Sequence, residues 1–87
     1  MDVIVVSPTM KRAVYEWHRA LEKSPNVWKR FRKHPFLMLE TTNGAIYRFV
    51  TETQADMVTK GFHGMTIGIG TFADMMDKAF VEVKEGD

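Results

Sequence analysis

The chain has 87 residues, with 12 Lys or Arg against 11 Asp or Glu, three His and no Cys. That length allows one domain, and 45% hydrophobic residues with 11% aromatics are too rich for a disordered segment. The lack of Cys excludes disulfides, thiolate nucleophiles and Cys-containing zinc sites, no apolar run approaches the roughly 20 residues of a membrane span, and a net charge of +1 sets up no whole-molecule field for a polyanion.

Residues 3–6 are continuous, β-branched and ended by Ser7-Pro8, the pattern of a buried strand. The acidic start and the short apolar run do not fit a secretory signal. The expected location is the cytoplasm. Ser7 as cap and Pro8 at the first helical position predict a helix start. Met10, Val14, Trp17 and Leu21 then recur at spacings of four, three and four. This is one apolar stripe on a helix of about 14 residues, with Ala13 and Ala20 beside it and Lys11, Arg12, Glu16, Arg19 and Lys23 on the remaining surface. Ser24-Pro25 ends it, and a second short helix is expected over residues 27–33.

Residues 36–42 and 45–51 flank Asn43-Gly44. This is the strongest short hairpin signal, because a type I′ turn needs positive φ at both central residues. A two-residue loop would set Thr42 opposite Ala45, Glu40 opposite Tyr47 and Met38 opposite Phe49. Leu37, Leu39, Ile46 and Val50 would occupy the other face. Both faces are largely apolar, so cover on both sides is expected.

Residues 53–60 predict a short helix ended by Gly61, and residues 65–69 a strand thinned by Gly68. Thr71 with Asp74 predicts a capping box. The helix behind it carries Phe72, Met75, Met76, Ala79 and Phe80 on its apolar face, and Val81 and Val83 either extend it or add an edge strand. The expected fold is α/β: one domain over residues 1–84 in the order β-α-(α)-β-β-α-β-α, with helices packed on a mixed sheet of about four strands. Residues 85–87 are expected to fray.

Several chemistries have no residues to carry them. No Gly-rich turn leads into Lys and Ser or Thr, as a phosphate-binding P-loop requires. Gly68-Ile69-Gly70 lacks the third glycine and the later acid of a dinucleotide fingerprint; it reads as tight packing beside a helix start. His18, His34 and His63 have no spacing that places two ligands on one helix face. Ser7 and Ser24 both precede Pro and suit capping better than nucleophilic attack. The acid pairs Asp74/Asp77 and Glu52/Asp56 read as solvated helix surface. The expectation is a protein that is not an enzyme and uses no cofactor and no metal.

Binding residues are better represented. Residues 1–48 hold nine Lys or Arg against four acids, a net of +5; residues 49–87 hold three against seven, a net of −4. Such a dipole either offers a charged face to a partner or neutralises itself in the fold. Its densest stretch runs Trp28-Lys29-Arg30-Phe31-Arg32-Lys33-His34. Cations neutralise phosphates, and aromatics stack unpaired bases. Arg12, Trp28, Lys29, Arg30, Arg32, Lys33 and Arg48 are therefore the candidate nucleic-acid-binding residues. In the competing reading, Val27, Trp28 and Phe31 anchor a short helix to the core and the cations are its wet side. Seven methionines suit an adaptable protein-binding surface or, alternatively, fill the core. Met57, Met75 and Met76, with the glycine-flanked His63, are the candidate partner-binding residues. A homodimer would cover the apolar hairpin.

Residues 3–9, Val-Ile-Val-Val-Ser-Pro-Thr before a helix, resemble the strand–Pro-Thr–helix motif of helicase-like and phage terminase-like RecA-type ATPase cores. Residues 66–72, Thr-Ile-Gly-Ile-Gly-Thr-Phe, resemble the strand ending in Gly-Thr of the same cores, and residues 43–49 and 60–64 resemble further terminase segments. The pieces follow the family's order over about residues 3–76. The resemblance implies that Pro8, Thr9 and Thr71 contact a nucleic-acid strand. No Walker A lysine is present, and the strand that would carry Walker B acids ends in Gly70-Thr71. What it implies is thus a half-core without ATP hydrolysis, suited to a phage accessory factor. Two functions are expected: a non-catalytic accessory domain that binds nucleic acid, or a protein-interaction module that modulates a host or viral protein.

Overall fold

The first strand, β1 (Asp2–Ser7), lies inside the sheet with a parallel neighbour on each side. Its side chains alternate between two covered faces, which is why Val3, Ile4 and Val5 are all buried and the strand reads as an unbroken apolar run. The computed structural model describes residues 1–34 and 36–85, with side chains through residue 78. Residues 86 and 87 of the end expected to fray, and the side chains of Ala79, Phe80, Val81 and Val83, lie outside the described residues.

Helix α1 (Met10–Lys23) starts later than expected. Ser7 still pairs with Thr51 in the parallel ladder, so it cannot cap; Thr9 does so, its side chain accepting the Arg12 N–H. The buried face is Ala13, Glu16, Trp17 and Ala20, and Met10 points outward. Two alanines bring the helix close to the sheet, and Trp17 fills the space between them, donating its indole N–H to the Met38 carbonyl at 3.0 Å. Glu16 is not on the wet side. Helix α3 (Ile69–Glu85) packs beside it, leaving Glu16 2% exposed between Arg12 at 3.8 Å and Arg19 at 3.5 Å.

The segment expected as a short helix is instead a strand, β2 (Trp28–Arg32), antiparallel to β3 (Leu37–Thr41). Pro25 and Pro35 bracket a stretch far shorter than the roughly 12–15 residues an unsupported helix needs, whereas pairing with β3 satisfies its backbone. A β-bulge at Lys29 adds one residue between the Trp28–Thr41 and Arg30–Glu40 pairs. Trp28 and Phe31 are thereby turned to the same side, toward α1. The Trp28 indole donates to the Ala20 carbonyl at 2.9 Å and meets Tyr47 edge-on, and Phe31 meets Trp17.

β3 and β4 (Ile46–Thr51) form the expected hairpin in a different register. Leu37 pairs with Phe49, Leu39 with Tyr47 and Glu40 with Ile46. The loop has three residues, because Thr41 pairs with Ala45 and only Gly44, at φ 92°, adopts positive φ. A type I′ turn would have needed it at Asn43 as well. The Thr41 hydroxyl accepts the Ala45 N–H and closes the turn. A one-residue shift decides which face each side chain takes. Here it gathers Leu37, Leu39, Tyr47 and Phe49 against the helices and sends Met38, Glu40, Ile46 and Arg48 to the opposite side.

Thr51 caps α2 (Glu52–Val58) in a capping box with Gln54, and Gly61, at φ 71°, follows. The chain crosses to β5 (Met65–Gly68) and enters α3 directly at Ile69. Thr71 therefore lies inside the first turn, and no capping box forms with Asp74. The helix continues through the backbone of Val81 and Val83, with no added strand.

The sheet has five strands rather than about four, in the order β2-β3-β4-β1-β5. β2–β3–β4 are antiparallel; β1 is parallel to β4 and β5. α1 and α3 cover one face, enclosing the core of Val3, Val5, Trp17, Leu39, Phe49, Phe72 and Met76. The β4–α2–β5 connection runs the opposite way along the sheet from β1–α1–β2, so right-handed crossovers place α2 on the other face. There it packs on β4 and β1, where Ile4 and Val50 are buried. Seven residues make a helix about 10 Å long, enough for two strands about 4.8 Å apart and not five. The expected cover on both sides of the hairpin is thus present on one side only. Among the described residues, no helix is long and apolar enough to cross a membrane.

Two contacts set expectations for stability. A Cβ on Gly64 would stand 2.1 Å from the Asp2 backbone oxygen and 2.4 Å from the Phe62 ring, whereas one on Gly68 meets open space. Gly64→Ala is expected to cost about 1–3 kcal/mol, read as a lower urea midpoint, and Gly68→Ala to leave the midpoint near wild type. Equal midpoints for the two variants would refute the close approach.

Asp77 of α3 accepts from Lys23 at 3.1 Å and from Arg19, joining α1 to α3. The Lys23 hydrogen bond, reinforced by Arg19 against partial desolvation, holds the Asp77 carboxyl below its ordinary value of 3.8. A depressed pKa contributes stability above the ordinary value and loses it as pH falls through the depressed one. Asp77→Asn is expected to flatten the loss of stability below about pH 4; an unchanged acid limb in chemical denaturation would argue against the clamp.

Candidate functional site

The open part of the sheet is the face of β2–β3–β4 that α2 does not reach. Strand alternation sends Arg30 and Arg32 of β2, Met38 and Glu40 of β3, and Ile46 and Arg48 of β4 to this side. With His34 and Phe36 from the β2–β3 connection they line a groove of about 430 Å³. The register orders it in two rows. Arg32, Met38 and Arg48 are consecutive cross-strand partners, so two guanidiniums flank a thioether across roughly 10 Å, two strand spacings. The next row is Arg30, Glu40 and Ile46.

The two rows differ in electrostatics. Glu40 is buried, and its Oε1 accepts from Arg30 Nε at 3.0 Å and Nη2 at 2.7 Å. That pair is locally neutral and held in one orientation. Arg48 lies 3.7 Å from Asp2, both half-exposed, a loose contact of small energy. Arg32 has no ion-pair partner among the described residues. Unbalanced positive charge is therefore concentrated at Arg32 and Arg48, beside His34 and Phe36.

The structure divides the residues singled out in the sequence. Arg30, Arg32 and Arg48 share the groove. Lys29 stands exposed at the bulge on the sheet edge. Lys33 turns to the α1 side, its ammonium 5.6 Å from the Trp17 ring. Arg12 lies on α1, against Glu16 and over the Tyr15 ring. Trp28 is half-buried on the α1 side of the sheet, its indole N–H bonded to the Ala20 carbonyl and its ring edge-on to Tyr47, away from the groove. The charge asymmetry is resolved in both ways at once: Arg19 and Lys23 neutralise Asp77, and the groove arginines remain outside that clamp.

The partner-binding set does not come together. Met76 is a core residue, 6% exposed, so it cannot be part of a docking face. Met57 and Met75 are exposed on α2 and α3, which lie on opposite faces of the sheet. His63 is exposed in the α2–β5 connection, beside Phe62 and Asp2. Pro8 and Thr9 lie at the carboxyl end of β1, and Thr71 in the first turn of α3 after β5. No group of three His, Cys, Asp or Glu among the described residues could hold a metal ion.

Phe36, Met38 and Glu40 are not among the candidate residues the sequence offers, and His34 ends the basic-aromatic stretch without being one of its proposed contacts. The available signal was Arg30-x-Arg32, a period of two, which the helix assignment for that segment hid. No family model, curated protein or solved structure matches the chain.

Proposed function

We propose that the chain is a non-catalytic single-stranded nucleic-acid-binding domain that takes the strand across the open face of β2–β3–β4. The observation that carries this reading is the convergence of Arg30, Arg32 and Arg48 with His34 and Phe36 on one uncovered sheet face that holds one buried acid, Glu40. Arginines on such a face pair with phosphates, and exposed ring faces at the rim stack unpaired bases. A broad sheet face suits a splayed single strand better than a duplex groove, which calls for a protruding element.

The test is a salt titration with a fluorescent single-stranded oligonucleotide. Two phosphate contacts, at the unbalanced Arg32 and Arg48, predict a slope of log K against log salt near −1.4, and so a loss of about 7-fold between 50 and 200 mM salt. No binding at 50 mM salt and about 100 µM protein, the weak end of non-specific affinities, would refute the proposal.

One observation favours a protein partner as the second reading: β2 is an open sheet edge. Two copies pairing there would oppose Lys29, Arg30 and Arg32 to the same cations, which is unfavourable. An acidic extended segment is the better match. A stoichiometric protein complex that survives nuclease treatment would favour this reading over the first.

A further inference from the structure

A second cleft, of about 330 Å³, opens near the carboxyl end of β4, between the first turns of α1, which follows β1, and of α2, which follows β4, and the β2–β3 connection. After β1 the chain turns to one face of the sheet and after β4 to the other. This is the topological switch point at which open α/β sheets bind ligands. Its volume is at the small end of ligand cavities, which run from about 300 to 1,000 Å³. Val14, Leu37 and Phe49 supply apolar walls, Lys33 a cation, and Gln54 the polar group from α2. His34 and Phe36 line this cleft and the arginine groove alike, so the two share a rim.

Gln54 is the informative residue. Its Oε1 accepts the Thr51 N–H at 3.0 Å in the α2 capping box. That bond fixes the side-chain amide, and the Nε2 donors have no partner among the described residues. A half-buried donor pair on the wall of a cleft, unused by the described residues, suits a carbonyl acceptor. Thymine, uracil, guanine and cytosine carry one; adenine does not.

We infer that this cleft receives one unstacked, carbonyl-bearing base of the strand bound on the sheet face, with Gln54 donating to the carbonyl and Phe36 at the entrance. The inference rests on the proposed binding of single strands, and it adds base selectivity to a contact otherwise governed by phosphates.

The experiment compares fluorescent oligo(dT) and oligo(dA) of twelve nucleotides on three proteins. Gln54→Glu keeps an acceptor for the Thr51 N–H, as in the usual capping box, and removes the donors. Val14→Phe fills the cleft from α1 without touching the arginines. Wild type is expected to favour oligo(dT) about tenfold. Both variants should bring the ratio to within about threefold while the salt dependence persists. Salt-dependent wild-type binding with a ratio near one overturns the cleft and leaves the sheet-face reading standing. A clear wild-type preference that survives both substitutions also overturns the cleft. Failure of wild type to bind either oligonucleotide overturns both readings.

Discussion

The double variant Arg32→Gln/Arg48→Gln is expected to bind a single-stranded oligonucleotide about 25-fold more weakly than wild type at 0.1 M salt. The estimate follows from counterion release: each phosphate contact on a single strand contributes roughly 0.7 to the slope of log K against log salt. Removing two should shift the slope by about 1.4 toward zero. The fold should be untouched, because Arg32 is exposed with no partner among the described residues and the Arg48–Asp2 contact is long and half-exposed. Lys11→Gln/Arg12→Gln removes the same charge from the exposed start of α1 and is expected to change affinity by less than about threefold. Equal losses from the two double variants would mean that bulk charge, and not the Arg32–Met38–Arg48 row, holds the strand.

The second large effect falls on stability. Trp17→Ala is expected to cost about 3–5 kcal/mol. Trp17 is 1% exposed, packs edge-on to Phe31, and is the indole that holds the Met38 carbonyl. A domain of this size has about 4–13 kcal/mol in total, so the variant should be largely unfolded on mild heating. At roughly 4–8 °C per kcal/mol, its Tm should fall by about 15 °C or more. Trp17→Phe keeps a ring and loses the hydrogen bond, and should cost about 1–2 kcal/mol. A drop below about 1 kcal/mol for Trp17→Ala would show that α1 is not pinned to β3 through this residue. The groove depends on that pin, since Met38 bonds Trp17 on one side of the sheet through its backbone and lies between Arg32 and Arg48 on the other through its side chain.

The elements that could be read in the sequence share one property: their signals are local. The run from Val3 to Val6 needs cover on both faces to be stable, and that is what it has. The α1 stripe and the Ser24 stop bound a helix of 14 residues, as observed. Asn43-Gly44 marks a chain reversal wherever it sits between apolar runs. The misread features depend on a partner distant in the chain. Residues 28–32 carry no periodicity strong enough to exclude a helix, and only β3 alongside makes a strand of them. The hairpin register turned on one residue: Thr41 closed the loop where Thr42 was expected. The four-three-four stripe misjudged Met10 and Glu16, because α3 covers the Glu16 side of α1.

The candidate site follows the same division. The basic-aromatic segment was visible as composition, and three of the seven proposed contact residues do meet, Arg30 and Arg32 from this segment and Arg48 from β4. Which three was decided by the bulge at Lys29, which sends Trp28 and Phe31 to the α1 side and Arg30 and Arg32 to the open side, and by the β4 register, which carries Arg48 to the same side. By itself the sequence determined the α/β class, the single small domain, the lack of Cys, and the presence of cations with aromatics in one stretch. These follow from residue type and short-range spacing. The tertiary structure alone decided that a short α2 leaves half of one sheet face open and that Arg30, Arg32 and Arg48 stand on it. A side chain's face in a sheet is set by pairing with strands far along the chain, and no local pattern carries that information.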